Sequence, residues 1–108
     1  MGRIPLLRKD VKMKTIWKFP LEMVEEQTIS MPSGTQILCV QTQRELICLW
    51  GVIENHNAND EKRVIRIIGT GHLIPTYEKL TYLGTVQLTF GNLVFHVFEK
   101  VAPSPLSL

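Results

Sequence analysis

Apolar and polar residues alternate with a period of two along most of this chain, the repeat of a half-buried strand. In "KTIWKFP" (14–20), Thr15, Trp17 and Phe19 share one face, while Lys14 and Lys18 share the other. "EQTISMP" (26–32) sets Ile29 and Met31 against Thr28 and Ser30. "TQILCVQTQ" (35–43) and "ELICLWGVIEN" (45–55) are fuller apolar runs, rich in β-branched residues, which suits strands covered on both faces. "KRVIRIIG" (62–69), "GTVQLTF" (84–90) and "LVFHVFE" (93–99) complete six or seven strands. No apolar stripe of helical length appears, although 20–26 and 75–82 each have room for one short helical turn. The pattern predicts an all-β fold: a single-domain antiparallel β-sandwich or a small, partly open β-barrel.

Two hairpins invite a register. "FGNL" (90–93) offers Gly91-Asn92 as a two-residue turn, which would set Leu88 opposite Phe95, Gln87 opposite His96 and Val86 opposite Val97. A turn within "TQRE" (42–45) would set Ile37 opposite Trp50, Leu38 opposite Leu49, Cys39 opposite Cys48 and Val40 opposite Ile47. Both arrangements match apolar to apolar residues.

Composition narrows the function classes. The chain has 108 residues, 44% of them apolar and 20% charged, which suits one soluble domain with a modest core. Two cysteines are too few for a disulfide scaffold, so thiols in a reducing compartment are expected. No run reaches the length of a membrane span, and the N-terminus lacks the apolar stretch of a signal peptide. The net charge of +2 divides unevenly: residues 1–18 carry +5 and residues 19–108 carry −3. A body of that sign is a poor electrostatic match for nucleic acid. Methionine followed by a strand at "MKTIWKFP" (13–20) suggests a domain over 13–101. Residues 1–12 then read as a basic extension and 102–108, "APSPLSL", as a tail.

Few residues suggest chemistry. "IIGTGH" (67–72) has glycines that let backbone N–H groups approach an anion, with Arg66 nearby. Arg66, Gly69, Thr70, Gly71 and His72 are therefore the candidate ligand-binding residues, for a phosphorylated ligand such as a signalling nucleotide. The stretch lacks the Gly-Lys-Ser/Thr of a phosphate loop and the dinucleotide fingerprint, so a strand-ending turn competes with that reading. Alternation puts Arg63 and Arg66 on opposite faces, so only one of them can serve such a site. His96 alternates with Val94 and Phe98 and reads as a hydrogen-bonded sheet histidine, and His56 lies in the polar loop "ENHNAND" (54–60). No metal-ligand spacing, cofactor motif or nucleophile–base–acid set is present, so the chain reads as non-enzymatic. Trp50, Tyr77 and Tyr82 are the candidate partner anchors, with a core position as the competing reading for Trp50.

"KTIWKFPLE" (14–22), "QTISMPSGTQIL" (27–38), "CLWGVI" (48–53), "IIGTGHLIP" (67–75) and "LVFHVFE" (93–99) resemble a family of small bacteriophage-encoded proteins. The resemblance covers about 13–100 and carries over no catalytic or binding residues. It implies a phage protein at work in the cytoplasm of a host bacterium. The expected function is binding to a host protein, for instance a defence complex of the CRISPR type, so as to inhibit or redirect it. A nucleotide sponge and a minor virion component are the alternatives. Open sheet edges also admit a homo-oligomer.

Overall fold

The computed structural model describes residues 13–101. The expected extension 1–12 and the whole of the tail 102–108 lie outside them. Seven antiparallel strands form two sheets, and the described residues contain no helix. β1 (Thr15–Pro20), β4 (Leu46–Ile53) and β3 (Gln36–Gln43) make a three-stranded sheet in the order β1-β4-β3. β2 (Glu26–Pro32), β5 (Asp60–Gly69), β7 (Leu93–Lys100) and β6 (Leu80–Leu88) make a four-stranded sheet in the order β2-β5-β7-β6. The expected all-β class is what forms. The places expected to hold helical turns hold only tight hydrogen-bonded bends, Val24 N–H to Glu22 O and Glu78 N–H to Pro75 O.

The inner faces meet in one core of Met31, Val40, Leu49, Ile65, Val97 and their neighbours. Alternation decides who contributes: Ile47, Leu49 and Ile53 of β4 and Ile65 and Ile67 of β5 are all buried. Two glycines permit close approach. A Cβ on Gly84 would fall 2.6 Å from Val40 Cγ1, where β6 passes β3 and the two sheets touch; one on Gly51 would fall 2.7 Å from Thr35 Cγ2. On the other side the chain from β1 to β2 crosses between the sheets, with Leu21 N–H bound to Ile47 O and Ile67 N–H to Glu25 O. Pro20 and Pro32 end β1 and β2, both edge strands, where a missing N–H costs the ladder least. At the far end Arg63 ties three elements together, donating to both Glu99 oxygens, to Thr35 O (2.8 Å) and to Glu61 (3.4 Å).

Both expected registers are corrected. The β3–β4 turn is Arg44-Glu45, with Gln43 opposite Leu46, so Cys39 faces Trp50 and Cys48 faces Gln41; a bulge lies between Ile37 and Cys39. Both turn residues have positive φ (53° and 65°), as a two-residue type I′ turn requires. The two cysteines are free, as expected, but they are not opposed. The β6–β7 connection is a four-residue loop, Thr89–Asn92, with Leu88 opposite Leu93, Thr85 opposite His96 and a second bulge between Tyr82 and Gly84. Trp50 is not in the core. It shares a face of β4 with Leu46 and Cys48, and that face turns away from the other sheet; Trp50 is half-buried there.

Candidate functional site

The strain in the described backbone is concentrated where two hairpin tips lie side by side. Arg44, Glu45, Thr89 and Phe90 are the non-glycine residues with positive φ, at 53°, 65°, 54° and 55°. Side chains with a Cβ resist this region, and a β-branched threonine resists it most. A hydrogen bond joins the tips: Thr89 N–H donates to Glu45 Oε1 at 2.6 Å. Phe90 projects from this brace completely exposed (103%). Below the tips β3 and β6 border a cleft of about 520 Å³, lined by Val40, Thr42, Glu45, Val86, Gln87 and Phe90 among others. Among the described residues neither strand has a further neighbour in its sheet, so each brings an edge unpaired by them.

The stretch "GTGH" reaches the same end of the fold, because Thr70 N–H bonds to Val94 O near the start of β7 (3.3 Å). Gly71 has φ +88°, which accounts for the glycine. The His72 ring lies over Gly69, its Cε1 3.2 Å from where a Cβ would stand, beside Ile67 and Phe95 of the inner face. Leu73, next in the chain, is 92% exposed.

Thr70 points the other way and joins a chain of hydrogen bonds across the outer face of the four-stranded sheet. Its hydroxyl is 2.7 Å from His96 Nε2; His96 Nδ1 is 2.9 Å from Thr85 Oγ1, which is 2.6 Å from the Tyr82 hydroxyl. One assignment satisfies every group. Tyr82 O–H donates to Thr85, Thr85 O–H to Nδ1, Nε2–H to Thr70, and Thr70 O–H to Val94 O. His96 is thus the hydrogen-bonded sheet histidine expected, and its work is to pin Thr70 to β6. The Tyr82 ring also packs edge-on against Phe98, centroids 5.6 Å apart.

Arg66 lies on this outer face too, with Glu26 Oε1 at 3.3 Å and Glu78 Oε2 at 3.5 Å. The Glu78 side chain is 5% exposed and ties the β5–β6 loop to the sheet. Among the described residues Glu78 Oε1 and Arg66 Nε are buried without hydrogen-bond partners.

The five candidate ligand-binding residues therefore do not converge on one point. Arg66 is on the outer face with two carboxylates, while His72 covers Gly69 on the inner side. The amides of Thr70 and His72 are already bonded to Val94 O and Gly69 O. The partner candidates divide as well. Trp50 lies on the outer face of the three-stranded sheet, whereas Tyr82 lies on the outer face of the other sheet and Tyr77 on the loop beside it, 58% and 84% exposed. Sequence reading missed Phe90 by extending β6 through it; "TFGN" as a four-residue loop was the available signal.

No helix of the described residues is long and apolar enough to cross a membrane. No curated protein and no solved structure matches the chain. A family model described as a domain of unknown function, DUF7352, matches residues 13–107. That match takes in every strand of both sheets, and the chain belongs to the DUF7352 family.

Proposed function

We propose that this chain is a non-enzymatic, phage-encoded protein that binds a host protein in the bacterial cytoplasm and inhibits or redirects it. A defence complex of the CRISPR type is the target class we favour. The observation that carries the reading is Phe90, fully exposed on a tip whose backbone is held at unfavourable φ by the Glu45 brace. Burial of an exposed aromatic anchor is the usual source of interface energy, and a rigid tip loses little entropy when it docks. Leu73 and Met23 (92% and 51% exposed) extend the apolar surface on loops at the same end. The phage context comes from the resemblance of "KTIWKFPLE" and the segments that accompany it.

The test is affinity capture from an infected host, with mass spectrometry of what is retained. A single host protein should be enriched by the native chain and lost with Phe90→Ala and with Leu73→Ser, both variants melting as the native chain does. Retention of the same protein by both variants would remove this end of the fold from the interface.

A further inference from the structure

The three-stranded sheet buries one face against the other sheet, and no described strand lies over its second face. That second face is apolar down its central strand. Ile47, Leu49 and Ile53 of β4 point inward, so the outward positions are Leu46, Cys48, Trp50 and Val52. β1 adds Ile16 opposite Val52 and Pro20 opposite Cys48, and β3 adds Cys39 opposite Trp50. An antiparallel sheet with a solvated face alternates apolar with polar residues, as β2 does here; β4 does not. Ile16 and Leu46 are 57% and 55% exposed.

We infer that this face is the contact surface of a homodimer, its occupant a second copy of the chain. Charge selects the occupant. Within the paired strands the face carries one charge, Lys18, and Lys14 and Glu54 offset each other at its margin (3.3 Å). Residues 1–12 hold four basic side chains and one acidic, so they would bring cations to a surface with no free acid; they also lie outside the family match. Residues 102–108 follow β7, which belongs to the other sheet. A second copy meets no such conflict when the two-fold axis runs along β4. Each β1 then lies over the other copy's β3, and Lys18 faces the row Gln36, Gln41 and Gln43 instead of another lysine. Lys18 Nζ already donates to Gln43 Oε1 within the chain at 2.8 Å, so the same pairing is ready for exchange between copies.

The size of the face sets the strength. Three strands about 4.8 Å apart and eight residues rising about 3.4 Å each give roughly 400 Å² per copy. A standard interface buries about 800 Å² per partner, so a face of this size fits a weak, reversible dimer and not an obligate one.

Sedimentation velocity of the full chain from about 5 to 500 µM covers the range of such an interface. The native chain should pass from monomer to dimer within it. Ile16→Lys/Leu46→Lys should remain monomeric throughout with an unchanged melt, since both sites are exposed in the monomer. Leu73→Lys, at a different exposed site, should still dimerise. In a Trp17→Phe background the emission of Trp50 should shift to the blue over the same concentrations. A native chain that stays monomeric, or a dimer that survives the two lysines, overturns the inference. So does a concentration-independent change in Trp50 emission on deleting residues 1–12, which would make that segment the cover.

Discussion

Replacing Arg63 by alanine tests what holds the far end of the sandwich together. The Arg63 side chain is 18% exposed and Glu99 19%, so the pair is mostly removed from water. Arg63 also donates to Thr35 O, fixing the corner between β2 and β3. The charge-assisted bond that Arg63 donates to Glu99 raises the guanidinium above its ordinary value, outweighing the lowering by burial. A raised cation contributes stability in full below its unfolded value and loses it only as pH rises through the folded one. The contribution is therefore constant across the neutral range. Removing one member of a fully buried pair costs about 3–5 kcal/mol. One fifth exposure lets water reach the abandoned carboxylate, so we expect about 2–3 kcal/mol here, a fall in Tm of roughly 10–20 °C for a domain of this size. Urea and thermal unfolding of Arg63→Ala, Glu99→Ala and the double variant should give a coupling energy of about 2 kcal/mol. Arg63→Met/Glu99→Met should recover most of the loss, because replacing both partners leaves no stranded charge. A coupling near zero, or a double methionine variant as unstable as Arg63→Ala, would refute the reasoning.

Three further outcomes follow from the packing. Gly84→Ala should destabilise by about 1–3 kcal/mol, since its Cβ would overlap Val40 Cγ1 at 2.6 Å, and Val40→Ala should rescue part of that in urea titrations. His96→Leu breaks the links to Thr70 and Thr85; amide exchange in the loop 70–79 should accelerate far more than in β5 or β7. Trp50→Ala should cost the monomer clearly less than the about 3–5 kcal/mol of a core tryptophan, because the ring is only half-buried on an outer face; a loss of that full size would contradict its position.

Much of the fold is legible in the period-two pattern because burial on a sheet is a property of single strands. Each strand reports its own inner face: Met31, Leu49 and Ile65 are apolar where the core needs them, whoever their neighbours are. The division of Arg63 and Arg66 between faces follows from the same alternation, and the structure has it. Contacts that join distant segments leave no such trace. Nothing in "GTGH" announces that Thr70 will meet His96, twenty-six residues away, or that Arg66 will be taken by Glu26 and Glu78. The local composition of the loop suits an anion cradle; the long-range pairs occupy its charge and the Thr70 amide.

The missed registers have a sharper cause. Sliding a strand by two residues changes every pair and leaves every side chain on its own face. Val40 meets Leu49 instead of Ile47, and both are apolar inner residues. Matching apolar to apolar cannot distinguish such registers, so the turn has to decide between them. Here the turn residues are Arg44 and Glu45, which pay for their positive φ instead of favouring it. Substitution can therefore report the register directly. Arg44→Asn places a residue that tolerates φ > 0 in the first turn position and should stabilise by about 0.5–1 kcal/mol. Gln43→Gly should destabilise by about as much, because Gln43 is the last strand residue, paired with Leu46. If the turn were Gln43-Arg44, glycine at 43 would relieve strain and raise the melting temperature. The sign of the Gln43→Gly shift in a thermal melt separates the two registers, and a rise would overturn the one described.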